Sequence, residues 1–196
     1  MIVHVINLPH RKDRLDYVKK VCKREGLELQ RHEATNGQKV FASQFPNKRM
    51  RGHAGCHNSH VTLLQKIKGT ADYHIILEDD VELTPNFKSK VEKYITTDFD
   101  MLYLGGNLNV YDNPIEPFND QFDIARKVMA THAYVVNDSS IDSILEIITK
   151  RVHKIDVMFM DVQQQMNALI TKECLAWQRE TFSDIGFKTL DVNTKY

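Results

Sequence analysis

Short, mostly apolar runs alternate with amphipathic stretches along this chain, and that rhythm constrains its fold more than any single motif. Residues 2–7, IVHVIN, are rich in Ile and Val and bounded by Pro9, the pattern of a buried strand. Residues 11–24 then place Leu15, Val18, Val21 and Cys22 at three-four spacing and stop at Gly26, which predicts a helix with one apolar face. Residues 28–34 read as a second strand, and residues 35–51, polar and interrupted by Gly37 and Pro46, as a surface loop long enough to be functional or mobile. Helix is expected over 54–67, strand over 74–77, helix over 85–94 and strand over 101–104. Residues 107–121 read as a loop and 133–136 as a strand, and Asp138 or Ser139 is expected to cap a helix with Ile141, Ile144, Leu145 and Ile148 on one face. A last helix is predicted from just after Asp156 through Ala168, then a short strand near Leu175. Such alternation is the signature of an α/β fold, a mostly parallel twisted sheet with helices on both faces.

Composition narrows the partners. At 196 residues and 42% hydrophobic, the chain can bury a full core, and residues 1–196 are expected to form one domain. Lys plus Arg and Asp plus Glu are equal at 26 each, so no global field recruits nucleic acid or an anionic membrane. Cys22, Cys56 and Cys174 are odd in number and in no CxxC spacing, which argues for reduced thiols. No signal h-region is visible after Met1, and no apolar run approaches the ~20 residues of a membrane span, so a cytoplasmic setting is expected.

The chemistry-bearing feature is HIILEDDVEL, residues 74–83, where an apolar run stops in Glu78, Asp79 and Asp80. Three adjacent like charges repel, so a cation is expected beside them, naturally a hard divalent metal with a phosphate ligand. On an extended strand end Glu78 and Asp80 would share one side, with Asp79 on the other. Acidic surface turns are common, and that bland reading has about an even chance for the triplet alone. The basic cluster Arg11, Lys12 and Arg14 comes after the first strand at the same sheet edge and could meet a nucleotide's phosphates; a solvated helix face is the commoner alternative. His53, His57 and His60 could share a helical face, yet Ala54 stands where a zinc hydrolase of the HExxH type needs Glu. One or two of these histidines are expected to serve a ligand pocket by hydrogen bonds. Asp156 either caps a helix or acts as general base, with Asp161 the weaker rival.

Taken in order, INLPHRKDR, EATNGQKV, GCHNSH, ILEDDVEL, FDMLYLGG, HAYVVN, HKIDVMF and QRETFSDIG resemble glycosyltransferase family 25, which includes lipooligosaccharide and collagen galactosyltransferases. The resemblance runs over residues 2–186. It implies a GT-A fold, a nucleotide-sugar donor, most often a UDP-hexose, a divalent ion, Mn2+ or Mg2+, and a glycan or glycoprotein acceptor. By position it puts Asn7, Leu8, Arg11 and Arg14 near the nucleotide and has Gly55, Ser59 and His60 shape the donor pocket. It makes Glu78, Asp79 and Asp80 the counterpart of a DxD motif, with Asp80 the leading metal ligand, Glu78 and Asp184 as further ligands, and Asp79 on the donor. Asp156 falls where inverting enzymes of this fold keep their base, and Gln178, Ser183 and Asp184 fall on a terminal segment over the nucleotide. Leu63 and Leu64 stand where relatives often carry an aromatic residue, and the loop over 107–121 does not match, so acceptor choice is not implied. A noncatalytic binding module and a nucleotidyltransferase are the rival classes; the retained acids argue against the first and the lack of a glycine-rich amino-terminal loop against the second.

Overall fold

A computed structural model describes residues 1–108, 116–180 and 184–185. Strands β1 (Ile2–Asn7), β2 (Glu28–Glu33), β3 (Tyr73–Glu78), β5 (Met101–Tyr103), β6 (Glu116–Pro117), β7 (Phe122–Ile124), β8 (Ala133–Asn137) and β9 (Ala168–Thr171) form one sheet in the order β2-β1-β3-β8-β5-β9-β7-β6. A separate two-stranded ribbon pairs β4 (Val81–Leu83) with β10 (Ala176–Gln178). From the pairings, β2, β1, β3, β5, β9 and β6 point one way, and only β8 and β7 run against them. The sheet is therefore mixed but mostly parallel, as the alternation implied.

Its two faces are covered because side chains alternate across each strand. Val3, Val5, Ile75, Leu77, Leu102 and Val135 pack with α1 (Lys12–Arg24) and α4 (Phe87–Tyr94). Ile6, Ile76, Tyr103, Tyr134 and Val136 face α3 (Lys48–Ile67), α5 (Ile141–Ile148) and α6 (Ile155–Gln165). On α6, Gln163 is fully buried and donates to Tyr103 Oη at 2.7 Å and to the Val128 carbonyl at 2.9 Å. That pairing removes the penalty of an unmatched buried amide.

Several boundaries differ from the sequence expectation. The stretch 35–51 is not all loop: α2 (Gly37–Val40) occupies part of it, and α3 begins at Lys48 because Asn47 caps it, its side chain accepting from Arg49 N at 2.8 Å. Asn137, not Asp138 or Ser139, caps the helical turn Asp138–Ser140 that leads into α5, leaving Asp138 to accept from Gly69 N at 2.7 Å and to hold His74. The last helix starts at Ile155 and ends at Gln165, so Asp156 lies within its first turn, and Ala168 opens β9 instead of closing the helix. Part of the loop over 107–121 lies outside the described residues.

Burial also sets an acid response. His4 is only 9% exposed on β1, its ring 5.6 Å from that of His74. Burial, then the charges of His74, His32 and Lys66, lower its pKa to about 4. An unfolded histidine titrates near ~6.5, so between there and about 4 the unfolded chain holds more protons and stability falls as pH falls. His4→Asn should shrink the stability difference between pH 7.5 and pH 5 by on the order of 1–2 kcal/mol in urea unfolding. An identical pH dependence in the variant would rule His4 out as a contributor.

Candidate active-site cleft

The carboxyl ends of β1 and β3 lie side by side, Ile6 opposite Glu78, so the segments that leave the two strands meet at one edge of the sheet. Ligand clefts of α/β sheets form at such edges. Here a hollow of about 190 Å³ is lined by Leu8, Arg14, Cys56, His60, the three acids, Gln178 and Asp184 among others. It adjoins a second hollow of about 400 Å³ that shares Leu8, Thr35, Asp184 and Ile185 and adds His10, Asn36 and Lys39. A larger one, about 830 Å³, opens at the opposite ends of β1 and β3 beside His4, His32 and Lys66, away from the acids.

Within the cleft the acidic triplet is partly neutralised from inside the chain. Arg14 Nη1 donates to Asp79 Oδ1 at 2.8 Å and lies 3.1 Å from Asp80 Oδ2, with both acids and the arginine buried. Asn7 Nδ2 donates to Asp79 Oδ2 at 2.7 Å, and Arg31 Nε holds Asn7 Oδ1 at 2.9 Å. Asp79 and Asp80 thus share one guanidinium, although strand alternation put them on opposite sides. The reason is local: β3 ends at Glu78, and 79–80 form a turn. Glu78 points instead toward β8 and α3, accepting from Thr131 Oγ1 at 2.6 Å with His60 Nε2 3.5 Å away.

Electrostatics separate the three carboxylates. Burial, then the charge of Glu78, raises the Asp80 carboxyl above the ordinary range despite Arg14. Burial would likewise raise Glu78, but His60 and the Thr131 hydroxyl outweigh it and hold Glu78 ionised. Asp80 Oδ1 is buried and has no hydrogen-bond partner among the described residues. A buried carboxylate oxygen without a donor is costly, and a cation at that oxygen would offset the cost. The donor set, hard oxygens at the mouth of a cleft, fits a divalent ion.

The other anticipated residues divide. Arg11 is held by Asp184, at 2.5 Å, and by Asp13; His10 lies 3.3 Å from Asp184. Asp184, anticipated on the metal, therefore reaches the cleft with two basic neighbours. Leu8 and Gln178 line the cleft, whereas Ser59 does not: its hydroxyl donates to Gly55 O at 2.7 Å and accepts from Thr35 N, fixing the segment after β2. His57 hydrogen-bonds the Ile148 carbonyl at 2.8 Å, and His53 lines a separate small hollow with Phe45 and Val152, so only His60 of the three histidines reaches the acids. Asp161 pairs with Arg151 near the surface. Asp156 is half-buried in the first turn of α6, with Oδ1 2.8 Å from Val157 N; burial raises its carboxyl, with Glu78 adding to the shift. It is not among the residues that line the 190 Å³ hollow. Ser183 lies outside the described residues.

Cys56, Thr131 and Tyr134 were not anticipated in the site. The four-residue step from Cys56 to His60 on one helix was a legible signal. Thr131 and Tyr134 were not, because only the reversed direction of β8 brings them to Glu78 and His60.

Gly55 fixes the cleft wall. A Cβ there would stand 2.7 Å from both Thr35 O and Gly37 N, backbone atoms that cannot swing away. In an open helix Gly→Ala gains up to about 1 kcal/mol. Here Gly55→Ala should instead lose about 1–3 kcal/mol by thermal melting. A stabilised variant would refute the close approach.

The fold is shared with a glycosyltransferase involved in the glycosylation of the major capsid of PBCV-1: the match covers 95% of this chain and 96% of that one, with a TM-score of 0.51 at 10% identity. Residues 1–159 match the sequence pattern of glycosyltransferase family 25 (LPS biosynthesis protein). The chain belongs to this family of sugar-transferring enzymes. It is also 33% identical over 120 residues, 54% of its length, to a protein of Acanthamoeba polyphaga mimivirus named "Putative glycosyltransferase R655", of which the match spans 37%. Among the described residues no helix is long and apolar enough to cross a membrane.

Proposed function

We propose that residues 1–196 act as one domain that moves a hexose from a UDP-sugar to a hydroxyl of a glycan or glycoprotein acceptor, with inversion at the anomeric carbon and with Mn2+ or Mg2+ bound. The observation that carries this reading is Asp80 Oδ1, buried and without a hydrogen-bond partner among the described residues, in a cleft where Arg14 is shared by Asp79 and Asp80. Asp80 and Glu78 would hold the ion, with Asp184 as a further ligand once released from Arg11. A divalent ion there would supply Lewis-acid neutralisation of charge building on the departing diphosphate.

The remaining steps belong to the chain. Arg11 brings positive charge, and His10 a ring nitrogen, to the rim shared with the adjoining hollow, where the donor's phosphates would pass, and Asn7 keeps Asp79 in place. Leu8 and Gln178 would border the donor, and the Thr131 hydroxyl orients Glu78 by donating to it at 2.6 Å. Asp156 takes the proton of the acceptor hydroxyl. Its carboxyl, raised by burial, is a stronger base than an exposed aspartate.

Calorimetric titration with UDP and Mn2+ tests the reading. Wild-type protein should bind UDP in a metal-dependent manner, and Asp80→Asn should weaken that binding at least tenfold. The same substitution removes a buried like charge. A raised carboxyl lends stability below its unfolded pKa and loses it as pH rises through the folded value, so metal-free Asp80→Asn should melt higher than wild type above that range. No UDP binding by wild type in either order of addition would sink the proposal.

A further inference from the structure

The cleft contains a second set of ligand atoms, chemically unlike the first. Cys56 and His60 stand four residues apart on α3, one turn above the other on the same face, and Glu78 meets them from the end of β3. A sulfur, a ring nitrogen and a carboxylate oxygen of these three lie within 4.8 Å of one another. His60 is fully buried, and its Nε2 has no hydrogen-bond partner among the described residues. That nitrogen stands 3.5 Å from Glu78 Oε1, too far for a good hydrogen bond. Two ligands at about 2.0 Å on a tetrahedral ion lie roughly 3.3 Å apart, so the gap is the size an ion requires.

The surroundings are those of a ligating histidine. Its other nitrogen, Nδ1, lies 2.7 Å from the Tyr134 hydroxyl, which fixes the ring, and Thr131 holds the Glu78 oxygen at 2.6 Å. Such outer contacts orient metal ligands and set their tautomer. The Cys56 thiol is pushed well above its ordinary range by burial first, then by Glu78, Asp156 and Asp80. The carboxylates that oppose a thiolate favour a cation. One sulfur, one imidazole and one carboxylate select zinc-like ions over manganese or magnesium, and three protein ligands leave a position open.

We propose that Cys56, His60 and Glu78 form a binding site for a thiophilic divalent ion of the zinc or cobalt class, distinct from the hard-ion site at Asp80. The inference rests on reading the cleft as a cation site, but not on Asp80 as ligand. On binding, the S–H bond breaks, a sulfur–metal bond forms and the proton leaves to solvent. Because Glu78 serves both sites, a soft and a hard ion compete for the cleft.

Cobalt titration of the full chain tests this by absorption. Wild type should show a sulfur-to-cobalt charge-transfer band with intense visible bands of a tetrahedral ion, both removed by added Zn2+. Cys56→Ser should lose the sulfur band and bind cobalt at least tenfold more weakly, while Cys22→Ser, Cys174→Ser and Asp80→Asn keep it. Should Cys56→Ser fail to fold, wild type still answers, since Zn2+ should protect Cys56 from alkylation as read by peptide mass spectrometry. Cobalt bound without a sulfur band, or alkylation of Cys56 unaffected by Zn2+, overturns this site and leaves the hard-ion reading standing. Binding of neither cobalt nor Mn2+, with or without UDP, overturns both.

Discussion

Asp156→Asn is expected to lower sugar transfer about 10²–10⁴-fold while UDP binding stays within about twofold of wild type. The loss comes from basicity: the amide keeps the size and the hydrogen-bond acceptor toward Val157 N, but cannot accept a proton. Unfolding cannot imitate it. The carboxylate's favourable place in the first turn of α6 is worth about 0.3–1 kcal/mol, far below the ~3–5 kcal/mol that such a rate loss represents. The acid limb of the pH–rate profile provides a second readout. A base works when deprotonated, so wild-type rates should rise with pH through the raised Asp156 value and then level, and that limb should vanish in the variant. Transfer at wild-type rate by Asp156→Asn would remove Asp156 from the chemistry.

Arg14→Met should be the most destabilising single change in the cleft, by about 3–5 kcal/mol, because it leaves two buried carboxylates without their counterion. For a chain of this length that corresponds to a fall of roughly 10 °C in melting temperature. Sequence reading placed Arg14 against the donor's phosphates; its contacts make it an internal counterion, so the expected damage is to folding first. The cation proposal adds a sharper outcome: Mn2+ should raise the melting temperature of Arg14→Met more than that of wild type, since an ion that binds only the folded state stabilises it by mass action. Equal or smaller rescue would show that no cation replaces the guanidinium.

What was legible in the sequence was whatever depends on neighbours in the chain. β1 and α1 came through because an Ile/Val run and a three-four apolar spacing are each bounded by Pro9 and Gly26. β9 did not: Ala168–Thr171 is a short apolar stretch that reads equally well as the end of α6, and only its pairing with β5 and β7 decides it. Strand direction was invisible for the same reason, since alternation is the same read from either end, and the reversal of β8 had to come from the structure. The site divides along that line. Glu78, Asp79 and Asp80 announced themselves as adjacent charges, whereas their counterion Arg14 and the Thr131 and Tyr134 contacts lie tens of residues away and exist only through the topology.

The small β4–β10 ribbon gives the cleft a mechanical property. Val81 pairs with Gln178, and Arg179 N donates to the Asp80 carbonyl at 2.8 Å, so the backbone of the acidic turn is stapled to the carboxyl-terminal segment. By reciprocity, whatever free energy an ion gains from one geometry of that turn must also appear as a change in how firmly the segment around Gln178 is held. Amide exchange at Arg179 is thus a gauge of events at Asp80, readable without a substrate or a turnover.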